Sequence, residues 1–424
     1  MNILILFGLL GVLLALSVPI GIALGISTAV TIFTCSHIPL ILIAQNAFTG
    51  MDSFPLLAIP FFMIAGSLMT HGGISKRIVA MAECLVGFIT GGLAMVTVVA
   101  CMFFGAISGS AAATVSAIGS FMVPMMKEKK YDPPFAAALI SAAGTIGCII
   151  PPSIPFVVYG VITGTSVSDL FIAGIIPGVM IGLALMGVSY YYAKKEGYPR
   201  MSSFPTFKTL VKTFADSIWA LLVPGIVLGG IYGGIFTPTE AAVVATVYAL
   251  FVGKFIYKEL TYEVTYQAFR ETIAVIGATL FMVGLATSFA SYLTLERIPV
   301  KVGSYILGFA NSKFVVLLLM NIVFLIIGCF VDNISSTIIL TPIFLPIVRE
   351  LGVDPVHFGM IISIALAVGF STPPYGCNLF ISSTISGVSV VQISKRLVPF
   401  IGAMIACLML ITYIPWFSMV LLNR

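Results

Sequence analysis

The residues able to do chemistry in this chain are oxygen-bearing side chains set into otherwise apolar sequence. Ser108-Gly109-Ser110 interrupts an apolar stretch from Gly91 to Met126, and Asp332-Asn333-Ile334-Ser335-Ser336-Thr337 interrupts another from about Phe314 to Val348. A second pair of interruptions follows. Ser141 to Ser153 contains Gly144, Thr145, Gly147 and Pro151-Pro152, while Ala365 to Asn378 contains Gly369, Thr372 and Pro373-Pro374. A double proline removes two amide donors and blocks the preceding turn, so a helix must break or kink there. The carbonyls left without partners, together with nearby hydroxyls, are the hard oxygen ligands that suit sodium by the same logic as magnesium and calcium. Half-helix N-termini at the same places favour anions. The chemistry on offer is therefore ion binding. No nucleophile stands beside a base and no loop has the pattern that cradles phosphates, so nothing suggests ATP hydrolysis.

The interruptions are one feature written twice. Pro124, Asp132-Pro133 and Pro151-Pro152 recur as Pro346, Asp354-Pro355 and Pro373-Pro374, each time 222 residues later (354 − 132, 373 − 151). The loop after the first stretch carries Lys127, Lys129 and Lys130, whereas its counterpart keeps only Arg349 as a cation. Lys and Arg collect in cytoplasmic loops, so the two copies are expected to face opposite sides of a membrane. Inverted repeats with Pro- and Gly-broken hydrophobic segments at matching positions point to a secondary transporter and to its site.

Composition requires the membrane. Of 424 residues, 60% are hydrophobic and 8% charged, with a mean hydropathy of +1.17, whereas a soluble domain carries about 25% charge. The net charge of +5 lies in loops, which argues for topology and lipid headgroup contact and against nucleic acid. Residues Asn2 to Phe33 read as retained spans and not as a signal peptide. The seven cysteines (Cys35, Cys84, Cys101, Cys148, Cys329, Cys377, Cys407) lack metal-like spacing and read as small apolar packing residues.

Basic loops trace the path across the bilayer. Five cytoplasmic points are expected, at Lys76-Arg77, at Lys127 to Lys130, from Lys194 to Lys212, from Lys254 to Arg270, and at Lys395-Arg396. Between them the expected spans are Phe135 to about Ile162, Leu170 to Tyr192, Ile218 to Phe236, Ala241 to Phe255 and Ile273 to Leu293. Arg297, Lys301 and Lys313 then fall outside, against the charge rule. The stretches from Gly91 and from Phe314 cannot be simple spans in this scheme. Each is expected to be a re-entrant hairpin of two half-helices, because non-helical backbone at membrane depth survives only in protein or beside a cavity.

The hairpin tips, the paired Pro-Pro breaks, Phe54-Pro-Leu-Leu-Ala-Ile-Pro60-Phe-Phe-Met-Ile-Ala-Gly66 and Gly230-Ile-Tyr-Gly-Gly-Ile-Phe-Thr237-Pro238-Thr239-Glu240-Ala-Ala resemble the large membrane subunit of tripartite ATP-independent periplasmic (TRAP) transporters. The resemblance covers essentially the whole chain. It implies an all-α polytopic protein of the bacterial inner membrane that works as a sodium-coupled elevator importer of a small organic acid. It also implies two partners, a small four-helix membrane subunit and a periplasmic substrate-binding protein. The small subunit is expected to be a separate polypeptide, since the chain ends at Arg424 without such a segment. The expected domains are scaffold and arm helices at 1–90 and 171–313, transport repeats at 91–170 and 314–390, and a C-terminal span at 391–424.

By motif, the resemblance places one sodium site at Ser108 and Ser110 with Gly144, Thr145 and Gly147. The other is at Asp332, Asn333 and Ser335 with Gly369 and Thr372. Ser153, Asn378 and Asp332 are the candidate substrate contacts. Sodium is a coupling ion here, and no cofactor is expected. Asp332, an acid near mid-membrane, is a functional candidate by default, with helix capping as its alternative. Asn378 alternatively satisfies a freed carbonyl. Glu240 reads as a cap, Asp52 as a loop residue, and His37, His71 and His357 as interfacial. A channel and an intramembrane enzyme fit less well, because the two tips enter from opposite sides and no catalytic pair lies in the spans. A stand-alone sodium or proton symporter without a binding protein remains the alternative within transport.

Overall fold

The computed structural model describes residues 2–422 apart from Ser17, His37, 201–203, Val300 and 302–311; His37 thus lies outside the described residues. Among the described residues every regular element is helical. Helices α1 (Asn2–Ala15), α2 (Ile20–Cys35) and α3 (Ile41–Met51) lead into α4 (Ala58–His71) through a 3-10 turn at Phe54–Leu57, where Pro55 has no amide to continue a helix. After α5 (Ile74–Val86), α6 (Gly92–Ser108) and α7 (Ala111–Glu128) form the first hairpin. The turn falls at Gly109, whose φ of +63° is the left-handed conformation that glycine tolerates.

The first broken helix is α8 (Pro133–Gly144), a 3-10 turn at Thr145–Cys148, and α9 (Ile154–Thr163) beyond the two prolines. Long helices α10 (Val167–Glu196), α11 (Phe207–Tyr232), α12 (Pro238–Phe251) and α13 (Tyr262–Leu295) follow. The second copy is α14 (Lys313–Phe330) and α15 (Asn333–Glu350), then α16 (Pro355–Gly369) and α17 (Cys377–Ser386) around the second break. It ends in α18 (Val390–Tyr413) and the short α19 (Trp416–Met419). Seven helical segments are long and apolar enough to cross a membrane, among them Val167–Glu196, Phe207–Tyr232 and Tyr262–Leu295. Large apolar side chains such as Phe33, Leu183 and Phe281 stay exposed, as on a surface that meets lipid.

The repeat is visible in the helix boundaries. Helices α7 and α15 begin and end 222 residues apart, α8 and α16 begin 222 apart, and Pro151-Pro152 and Pro373-Pro374 are both cis. The second copy has one residue more after its break, so α9 and α17 start at Ile154 and Cys377. Packing is reciprocal: α9 lies on α15, and α17 lies on α7 and α8. Each post-break helix thus crosses to the other copy's hairpin.

The expected span Ile273 to Leu293 is the one that grows most. Helix α13 starts at Tyr262, because Thr261 caps it by accepting from the Val264 amide at 3.3 Å and Gln267 bonds Glu271 at 2.8 Å one turn on. Its 34 residues make a rod about 51 Å long, longer than the roughly 30 Å hydrocarbon core. Shifted by 222 residues, α13 matches α3 and α4 together. Gly277 stands where Pro55 breaks the first copy, so the second copy runs through.

Ion pairs gather the charged loops. Glu259 pairs with Arg77 at 2.9 Å and Lys76 at 3.3 Å, while Arg396 pairs with Asp132 at 2.9 Å and Glu196 at 2.7 Å. The first group joins the loop after α4 to the loop before α13. The second joins the loops after α7, α10 and α17. Lys313 instead donates to the Gly352 carbonyl at 3.4 Å, in the loop after α15.

Candidate functional site

The first tip is seated on the first break. Ser108 Oγ lies 3.1 Å from Thr114 Oγ1 and 3.4 Å from the Ser110 carbonyl, which accepts from Thr114 Oγ1 at 2.8 Å, so three oxygens form a compact triangle. Gly147 makes the room for it: a Cβ there would fall 2.3 Å from Thr114 Oγ1 and 2.7 Å from the Ser110 carbonyl oxygen. Backbone bonds stitch the pieces together. The Ile154 amide donates to the Gly109 carbonyl at 3.2 Å, and the Ala111 amide points to Cys148 Sγ at 3.2 Å. Ser110 also caps α7 through the Ala113 amide. Gly144 and Thr145 serve other ends. A Cβ on Gly144 would strike Val115 at 2.1 Å, so its smallness lets α7 approach α8, and Thr145 Oγ1 donates to the Ala142 carbonyl at 2.6 Å.

The second tip is built on the same plan with a different seat. Asp332, the counterpart of Ser110, caps α15 by accepting from the Ser335 amide at 3.0 Å and from the Ser335 hydroxyl. Asn333 Nδ2 reaches the Ser363 carbonyl at 3.5 Å, and Thr337 Oγ1 donates to the Asn333 carbonyl at 2.8 Å. Ser336, the counterpart of Thr114, is fully buried and its Oγ has no partner. On the break, Thr372 Oγ1 donates to the Val368 carbonyl at 2.8 Å, and Gly369 meets Gly328 of α14 so closely that a Cβ would fall 2.7 Å from its Cα. Among the described residues no hydrogen bond joins this tip to Gly369 or Thr372. The arms α14 and α15 also pack far less on one another than α6 and α7 do.

Ser153 and Asn378 are both fully buried and committed to the breaks. Ser153 Oγ donates to the Cys148 carbonyl at 2.6 Å. Asn378 Nδ2 donates to the Ser141 carbonyl at 3.4 Å and to Ser371 Oγ at 3.1 Å, and Ser371 Oγ itself donates to the same Ser141 carbonyl at 2.8 Å. Both side chains satisfy carbonyls that the prolines and the tightened turns release.

A family model described as "Tripartite ATP-independent periplasmic transporter, DctM component" matches residues 7–417. The chain belongs to this DctM family. It is 45% identical over 411 residues to the isethionate TRAP transporter permease protein DctMQ of Oleidesulfovibrio alaskensis, covering 97% of this chain and 65% of that protein's length. It is 41% identical over 401 residues to the C4-dicarboxylate TRAP transporter large permease protein DctM of Pseudomonas aeruginosa, covering 95% and 94%. The crystal structure of the Alcanivorax borkumensis YdaH transporter shares the fold, with a TM-score of 0.61 at 15% identity over 88% of this chain and 87% of that one. The chain is thus a transporter component and not an enzyme.

Two cavities flank the tips of this DctM chain at equivalent positions. One of about 240 Å³ lies under the first tip, lined by Ser67, His71, Ser108, Ser110, Ser116 and Glu271. The other, about 460 Å³, lies between α3, α9, α13 and α15, lined by Thr49, Ser53, Ser291 and Ile338 among others. Thr49 and Glu271, Ser53 and Val275, Ser116 and Ile338 are pairs 222 apart, so the repeat builds one cavity per copy. Neither is lined by Lys or Arg.

Three further residues have clear places. Glu240 completes a capping box with Thr237, the expected role. Asp52 follows the last turn of α3 as a loop residue. His357 differs from expectation: it starts α16, near a span end, yet it is buried because the C-terminal segment covers it, with Nδ1 at 2.7 Å from Ser418 Oγ and Nε2 at 3.3 Å from the Thr412 carbonyl. Sequence reasoning passed over Thr114 and Ser336 as ligands. Their signal was present, since each stands one turn beyond its tip at the shared offset.

Proposed function

We propose that this DctM chain carries a small organic acid inward across the bacterial inner membrane, coupled to sodium as co-substrate. The single observation that carries the reading is the oxygen triangle of Ser108, Ser110 and Thr114 against Gly147. It is a neutral set of hard donors at a helix break, of the kind a sodium ion suits. The second site uses Asp332, Asn333 and Ser335, with Ser336 as a further donor and Gly369 and Thr372 on the break. No chain of acids and histidines links the tips, which favours sodium over protons. The substrate is an organic anion of the class named for the relatives, a dicarboxylate or a small sulfonate. In the tripartite family it is handed over by a periplasmic binding protein, with a small four-helix membrane subunit beside this chain.

The two copies lie head to tail in the membrane, and residues 91–170 and 314–390 move as a body against the scaffold. The loop contacts support this arrangement. Glu259 and Arg396 gather the loops expected on the cytoplasmic side, while Lys313 meets the loop after α15, expected outside. The test is uptake into proteoliposomes containing this chain with its small subunit and loaded binding protein. An inward sodium gradient is expected to be required. Equal uptake driven by a proton gradient in sodium-free buffer contradicts the coupling, and uptake without any binding protein favours a stand-alone symporter.

A further inference from the structure

The two breaks are tied together by side chains of one copy only. At the first break the Thr145 amide turns back to the Ala142 carbonyl, which leaves the Ser141 carbonyl without its usual helical partner. The second copy fills that place. Ser371, between Gly369 and Thr372, donates its hydroxyl to the Ser141 carbonyl at 2.8 Å, and Asn378 donates its amide to the same carbonyl at 3.4 Å and to Ser371 Oγ at 3.1 Å. Ser141, Ser371 and Asn378 are all fully buried. The orientation of the Asn378 amide follows from its neighbours: the Ser371 hydroxyl spends its proton on Ser141, so both groups facing Asn378 are acceptors and the nitrogen must face them.

The reverse link does not exist. Shifted back by the repeat, Ser371 falls on Ile149 and Asn378 on Pro155, neither of which has a side-chain donor. The Ser363 carbonyl, equivalent to that of Ser141, is reached from its own tip by Asn333. Ser141 stands one turn before the segment that holds Gly147, the wall of the first oxygen triangle. Ser371 stands within the second break itself. A hydrogen bond in this dry interior is strong, and its loss strands a buried carbonyl.

We infer that Ser371 and Asn378 are positioning residues that couple the two ion sites, transmitting the state of the second break to the first through the Ser141 carbonyl. This rests on the sodium reading above. Occupancy of the second site fixes the geometry of Gly369 to Thr372, and with it the donors that hold the last turn of α8. The coupling runs in both directions by thermodynamic necessity, and such couplings shift affinity by about 5- to 150-fold.

The test compares Ser371→Ala, Asn378→Ala and the double variant with the parent in two assays. One is sodium-dependent uptake by the complete transporter in proteoliposomes; the other is the sodium-dependent rise in melting temperature of the purified chain, which serves even for a variant that does not transport. The parent is expected to respond sigmoidally to sodium. In each single variant the Hill coefficient is expected to fall toward one and the half-effective sodium concentration to rise about fivefold or more, the lower end of ordinary coupling. The double variant adds little, because both donors serve one acceptor. Parental Hill coefficients in both single variants, or a hyperbolic parent, overturn the link while leaving sodium coupling standing. A parent indifferent to sodium in both assays overturns the sodium reading itself.

Discussion

Gly147 is the residue on which the first site turns, because its missing side chain is what lets a carbonyl and two hydroxyls meet. Gly147→Ala places a methyl 2.3 Å from Thr114 Oγ1 and is expected to abolish sodium-dependent uptake. Gly402→Ala, which meets nothing within 4 Å, is expected to stay within about 0.5 kcal/mol of the parent, as surface changes do. The same uptake assay, with melting temperature as control, reads both. Asp332 poses a finer question, since it caps α15 and also carries a charge. Asp332→Ala is expected to lose the cap, about 0.5–2 kcal/mol, along with transport. Asp332→Asn keeps the cap, so an unchanged melting temperature with a raised sodium requirement would assign the charge to ion or substrate binding. Normal sodium dependence in the Asn variant would make Asp332 a cap alone. Ser108, Ser110 and Asp332 were legible because polar residues stand out in apolar sequence. Thr114 was not, since most helical Ser and Thr merely bond their own helix, and only packing against Gly147 distinguishes this one.

At the scale of elements, the breaks and turns followed from elementary rules: prolines without amides, a glycine in the left-handed region, and caps at helix starts. The Thr237-Glu240 capping box is the cleanest case. Thr237→Ala is expected to cost about 1 kcal/mol, read as a lower melting temperature, with the sodium concentration for half-maximal uptake unchanged. A changed sodium response would tie α12 to the ion sites directly. The length of α13 escaped the hydropathy reading, because its first turns are polar and are held by a cap and an i,i+4 pair that hydropathy does not weigh. The tie from Asn378 to Ser141 escaped too. It joins residues 237 apart in sequence, and no local pattern marks a carbonyl that a distant helix will satisfy.

For the whole molecule, the repeat explains why hairpins, breaks and cavities each occur twice, and why the post-break helices exchange partners. It was legible at three prolines in one register, and the helix boundaries keep that register to the residue for α7 and α15. Orientation across the membrane is the claim on which the site's function depends, because only copies facing opposite sides give access from each in turn. Glu128 and Glu350 end α7 and α15, are both exposed and lie 222 residues apart. The decisive measurement is therefore sided labelling of Glu128→Cys and Glu350→Cys, each in a chain freed of its native cysteines, in right-side-out vesicles with a membrane-impermeant thiol reagent. Position 350 is expected to react from outside, and position 128 only after the membrane is opened; reaction of both positions from the same side would contradict the head-to-tail arrangement and the alternating site built on it.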